Sequence, residues 1–200
     1  MTIFLYSAIP SSPMETFRDA IAYPFGRFSR LFYWLWILVP IVGALAFVGY
    51  EVRMIRTLLK GNRKEAPAFG PFWENAKVGL FFLVFALLYS LLLGLISIIP
   101  FIGKLLYIIG FFIIPVLMVQ CATGAGFTHM LKQGFRIDRG ADLIFKHIGM
   151  YLLTVLKIIA VVVLAVIASL PLITLIITYP AYRYAFWYLV TGFWRAAQRK

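Results

Sequence analysis

The chain has 200 residues, 63% of them apolar and 13% charged, with a mean hydropathy of +0.94. A soluble domain averages nearer about 45–50% apolar and about 25% charged, so the composition excludes an ordinary water-soluble domain and points to a polytopic membrane protein. Lys and Arg number 19 against 7 acids, a formal charge of +12, but they sit in short segments flanking apolar runs, which reports membrane orientation and not nucleic-acid binding.

Residues 1–10 carry no basic stretch ahead of an apolar one, so no cleaved signal peptide is expected. Ser12-Pro13-Met14-Glu15 reads as a helix start, with Ser12 as N-cap, Pro13 at the first helical position and Glu15 closing a capping box. Met14, Phe17 and Ile21 then make a short amphipathic stripe that stops before Pro24, the pattern of a helix lying in the membrane interface. Met14 serves equally well as a natural start. Residues 1–30 therefore form an N-terminal tail and interfacial helix.

Residues 31–50 are uncharged, with aromatics at both ends as in an interface belt. Pro40 and Gly43 fall in the middle, giving either one kinked span or a re-entrant hairpin turning there. Past Tyr50, Val52, Ile55 and Leu59 face one way, Arg53, Arg56 and Lys60 the other, and Gly61 supplies the C-cap. Residues 61–77 read as a loop, its aromatics Phe69, Phe72 and Trp73 held at headgroup depth.

The stretch 78–128 is predicted as a helical hairpin. Two uncharged runs, 78–99 and 105–128, are each long enough to cross a core of about 30 Å, and Pro100-Phe101-Ile102-Gly103 breaks them apart. The same spacing occurs in Pro40-Ile41-Val42-Gly43, with Gly49 beyond one and Gly110 beyond the other, so a weak internal repeat is in view. Ala122 and Gly126 have the small-xxx-small spacing that lets helices approach closely. Cys121, the single cysteine, excludes an intrachain disulfide and reads as a buried inert thiol.

Residues 132–146 are a second polar segment, and 148–194 a further hairpin with Pro171 and Pro180 as breaks. Thirteen of the 19 basic residues lie in segments 51–77, 129–147 and 195–200, which places those three in the cytoplasm and the tight turns on the other side. A re-entrant first hairpin would put Arg18, Arg27 and Arg30 on the cytoplasmic side as well. A single span would put them outside.

Tyr23-Pro24-Phe25, Pro40-x-x-Gly43, Gly49-Tyr50, Arg53-x-x-Arg56, Gly61, Pro67 and Gly79 together form a pattern that resembles an uncharacterised prokaryotic multi-pass membrane family, domain of unknown function 4013. The resemblance runs from about Met14 to the C-terminal helix and is tightest from Tyr23 to Gly79. It implies a small integral membrane protein of the bacterial or archaeal cytoplasmic membrane, and it brings no catalytic residues. The loop near Pro67 tends to be more acidic in similar proteins; here Arg63 and Lys64 stand beside Glu65.

Ionisable groups inside a membrane are the first place to look for transport or proton relay. Asp, Glu and His are absent from the apolar runs. Lys157 lies two or three turns from the basic end of its run, close enough to snorkel, and Arg183 reaches the opposite interface or caps carbonyls freed by Pro180. His129 and His147 lack a third ligand and read as two solvated interfacial histidines. Arg53, Arg56, Lys60, Arg63 and Lys64 could hold anionic lipid headgroups at about 1 kcal/mol per charge, although topogenesis explains them as well.

The expected fold is one all-α polytopic membrane domain over residues 1–200, with about 4–6 membrane helices in hairpins and short interfacial amphipathic helices. The expected role is a non-catalytic integral membrane subunit or scaffold, the alternative being a small permease or lipid-handling component. Partners would be the lipid bilayer and other membrane subunits or further copies of the chain, with no nucleic acid, no cofactor and no metal.

Overall fold

Helix is the sole regular structure among the described residues, 13–170 and 174–198, of the computed structural model. Helix α1 (Pro13–Ala22) runs into a 3-10 helix (Tyr23–Leu38), followed by α2 (Val42–Leu59), α3 (Phe72–Ser97) and α4 (Ile102–Ala122). Two short helices, α5 (Phe127–Gly134) and α6 (Ile137–Lys146), lead into α7 (Ile148–Ala168) and α8 (Leu175–Ala197). The Ser12 cap, the Pro171 break, Arg199 and Lys200 lie outside the described residues, as do the side chains of Met14 and Glu15.

The 3-10 helix is written in the sequence as a period of three. Leu31, Trp34 and Ile37 pack inward, whereas Phe32, Leu35 and Leu38 stay exposed. Three residues per turn puts each set on one line of a 3-10 helix. Arg27, at φ −141° and ψ 91°, interrupts the helix after its first turn.

Pro40-x-x-Gly43 and Pro100-x-x-Gly103 close turns of one shape. Ile41 and Phe101 both sit at φ 59° and ψ −66°, the centre of a γ-turn. The Val42 amide donates to the Pro40 carbonyl at 2.6 Å and the Ile102 amide to the Pro100 carbonyl at 2.7 Å. A Cβ on Gly43 would meet the Trp36 carbonyl oxygen at 1.8 Å, and one on Gly103 the Ile96 oxygen at 2.2 Å, so only glycine lets the returning strand of backbone pass so close. The 3-10 arm folds back on α2, with the Tyr33 and Tyr50 rings 5.3 Å apart edge to face.

Helices α2 and α3 are antiparallel and packed backbone to backbone. A Cβ on Gly49 would lie 1.8 Å from the Asn75 carbonyl oxygen, and one on Gly79 would lie 1.9 Å from that of Leu45. Asn75 fastens the start of α3, donating from Nδ2 to the Phe69 carbonyl at 2.5 Å and accepting from Arg53 Nε at 3.2 Å. Helix α3 therefore begins at Phe72, six residues before the expected run, and takes Glu74 and Lys77 into its first turns.

Helix α4 returns along the outer half of α3, Tyr89 donating to the Gly110 carbonyl. It bends by 43° between Gly110 and Phe112, because Pro115 cannot donate to the carbonyl four residues earlier. It ends at Ala122, short of the expected 128. Helices α7 and α8 pair through Tyr151 and Phe193, ring centroids 5.1 Å apart, and through the Ser169 and Thr178 hydroxyls at 2.7 Å. Pro180 is not a break: α8 runs straight through it, since a proline one and a half turns in removes a single bond, to Ile176.

Two helices, α3 and α7, are long and apolar enough to cross a membrane, and the bent α4 makes a third if both its halves count as one span. Their outer faces carry exposed leucines, isoleucines and valines. The buried core runs along α2 and the C-terminal halves of α4 and α8, and takes in the inner face of α3 through Phe82, Phe85 and Tyr89.

Candidate functional site

Helix α2 gathers the polar chemistry of the interior. Glu51, only 1% exposed, directly follows the Gly49-Tyr50 step at which α2 is pressed against α3. Across from it, α8 presents Arg183. The guanidinium donates from Nε to Glu51 Oε1 at 2.7 Å and from Nη2 to Oε2 at 2.5 Å, a two-point fork that fits a carboxylate. Arg183 also lies over the Trp187 ring, 5.7 Å from its centroid. Its Nε and Nη2 are taken by Glu51 and not by the carbonyls near Pro180.

A tyrosine cluster surrounds the pair. Tyr184 donates to the Arg30 carbonyl at 2.8 Å, Tyr50 donates to the Pro67 carbonyl at 3.1 Å, and the Phe69 ring stacks on Tyr50 at 5.4 Å. Arg27 and Arg30 both reach Glu65, at 2.6 and 3.6 Å, tying the 3-10 arm to the loop after α2. Phe69 is thus a core ring stacked on Tyr50, and the half-buried Phe72 packs on Trp36; Trp73 is exposed.

The five basic residues assigned to a lipid-facing stripe do not share one face. Arg56 turns inward and closes the end of α4, donating from Nε to the Ala122 carbonyl and from Nη2 to that of Gly124, both at 2.8 Å. Cationic donors suit the carbonyls left open at a helix C-terminus. Burial pulls the Arg56 pKa below the usual arginine value. Arg53 reaches Glu74 at 3.7 Å, and Arg63 lies over Tyr188, 4.4 Å from the ring centroid, and donates to its carbonyl. Lys60 and Lys64 are exposed. The other three are half-buried.

Ala122 and Gly126 form no helix-packing pair. Ala122 is the last residue of α4, whereas Gly126 caps α5 at φ 84° in the loop beyond, where a Cβ would meet nothing within 4 Å. The close packing is made by Gly49, Gly79 and Gly110 instead. Gln120 locks the corner, donating from Nε2 to the Gln133 carbonyl at 2.6 Å and to that of Arg136 at 3.1 Å. Cys121 is buried, His129 exposed, and His147 and Lys157 half-buried. Among the described residues no three His, Cys, Asp or Glu side chains stand close enough to hold a metal ion.

A notch of about 60 Å³ lies between α3 and α4, lined by Phe85, Tyr89, Ser90, Ile114, Leu117 and Met118. It has room for a methyl group or two and carries no charge.

Arg183 stands out in the sequence as a lone charge in an apolar run, but Glu51 and the pairing of the two do not, because the partners lie 132 residues apart. One signal was present. Glu51 is the only acid between Asp19 and Glu65, and Arg183 the only charge between Lys157 and Arg195.

Helical in its described residues, with two or three helices long and apolar enough to cross a bilayer, the chain is a membrane-associated helical protein. It belongs to the family described as Protein of unknown function (DUF4013), whose pattern matches residues 32–177. The match covers residues 32–38 of the arm, both Pro-x-x-Gly turns, α2 to α7 and the start of α8; Tyr23-Pro24-Phe25 falls outside it. No curated protein and no solved structure matches the chain.

Proposed function

We propose that this chain is a non-catalytic integral membrane subunit or scaffold of a larger assembly in a prokaryotic cytoplasmic membrane. Helices α3, α4 and α7 form the membrane-crossing body, and the basic segments 51–77 and 129–147 face the cytoplasm. One observation carries the reading: Glu51, Arg183 and Arg56 spend their bonding capacity on one another or on helix-end carbonyls. Such groups hold a fold in one arrangement and leave little to bind or transform a polar molecule. The wide apolar faces of α3, α4 and α7 then serve lipid and neighbouring subunits.

Extraction in a mild detergent or nanodisc, followed by native mass spectrometry, tests this. Co-purification of a second polypeptide, or of further copies of the chain, is the expected result. A chain that always runs alone and by itself supports solute or lipid flux across liposomes would replace the scaffold with a permease. The repeated γ-turn hairpin favours that second reading, because broken and repeated helices mark transport folds.

A further inference from the structure

We infer that the 3-10 arm and the N-terminal half of α2 form a half-depth hairpin, whose tip at Ile41 is immersed in the acyl chains of the leaflet beside the basic loops. This rests on the proposal that α3 crosses the bilayer, and it adds where the first hairpin stops.

The depth follows from register. Gly49 lies against Asn75 and Leu45 against Gly79 on antiparallel helices. By that register Ile41 stands level with about residue 83 of α3, which continues to Ser97, roughly 21 Å further at 1.5 Å per residue. With the Pro100 turn at the far face of a core about 30 Å thick, the Pro40 turn stands about 10 Å inside the near face. It is too short to span and too deep to lie in the headgroups.

The tip is built for hydrocarbon. Ile41 is 77% exposed, and Leu38 and Val39 beside it are exposed too, with no charged residue from 31 to 50. Irregular backbone survives in lipid only if its polar groups are paired. At this turn the amides of Val39, Val42, Gly43 and Leu45 donate to Trp36, Pro40, Val39 and Ile41, and Pro40 has no N–H to satisfy. The same pairing recurs around Phe101, 89% exposed at the end of the α3–α4 hairpin. One lipid-compatible turn is thus used at two depths.

The test uses the full chain in a Cys121→Ala background, reconstituted in oriented vesicles. Single cysteines are placed by Ile41→Cys and, in case that variant folds poorly, Val39→Cys, with Lys64→Cys and Lys104→Cys marking the two faces. A membrane-impermeant maleimide should label 64 from one side, 104 from the other, and 41 or 39 from neither. Bimane at 41 or 39 should lose fluorescence in vesicles of brominated phosphatidylcholine. Labelling of 41 from the side of 104 would overturn the inference in favour of a span. Labelling from the side of 64 would place the hairpin in water. Protection without bromolipid quenching would mean that protein covers the tip, and would also overturn it. Labelling of 64 and 104 from the same side would instead sink the reading of α3 as a span.

Discussion

Glu51 and Arg183, 132 positions apart in the chain, meet in a two-point fork that joins α2 to α8. Removing either partner leaves the other charge buried and alone, which costs about 3–5 kcal/mol. Glu51→Ala and Arg183→Ala should each lower the melting temperature sharply in a mild detergent. The double variant Glu51→Leu/Arg183→Leu should recover most of the loss, because well-packed apolar side chains replace a buried pair at little cost. Equal damage from the double and the single variants would assign the fork no coupling.

Gly49 and Gly79 set the spacing of α2 and α3. Any side chain there meets backbone oxygen at under 2 Å, and backbone cannot swing aside. Gly79→Ala should destabilise by about 1–3 kcal/mol and Gly49→Leu by more. By contrast Gly94→Ala, where a Cβ meets nothing within 4 Å, should be neutral or mildly stabilising. Circular dichroism melts of the three variants give the ranking.

Arg56 caps the carbonyls of Ala122 and Gly124 from a different helix. Arg56→Met leaves both without their donor, at about 1–3 kcal/mol. The loss should appear locally, as faster amide hydrogen exchange in residues 127–134, with α7 unchanged. Arg56→Lys should restore less than half of the protection, since an ammonium cannot span both carbonyls with the arginine fork.

Cys121 is buried beside the end of α4, so the native protein should resist thiol reagents and label fully once unfolded. Labelling against temperature would then follow the opening of the α4–α5 corner, and Arg56→Met should shift that curve to lower temperature.

Much of the architecture could be read from residues alone. The uncharged runs mark α3, α4 and α7, and Pro40-x-x-Gly43 and Pro100-x-x-Gly103 mark the places where the chain reverses. Gly61, with φ 96°, ends α2 where a glycine C-cap stands in the sequence. The rest was hidden for physical reasons. The 3-10 arm has a period of three, easily lost among so many apolar residues. Gly126 sits four residues from Ala122, but Thr123 to Gly126 leave the helix, so spacing ceased to mean adjacency. The polar interior depends on contacts such as Tyr184 to Arg30, 154 residues apart, and no local pattern encodes those.

The tightness of the γ-turns bears on how the chain enters its membrane during synthesis. A reversal made within three residues, one of them a proline, offers very few bare amides and carbonyls to the hydrocarbon. In the membrane arrangement proposed above, α3 and α4 would enter the bilayer as one pin, with no hydrophilic loop to be dragged through. Lengthening the connection at Pro100 with polar residues would convert one insertion event into two, and the cell's insertion machinery would feel the difference before the finished protein did.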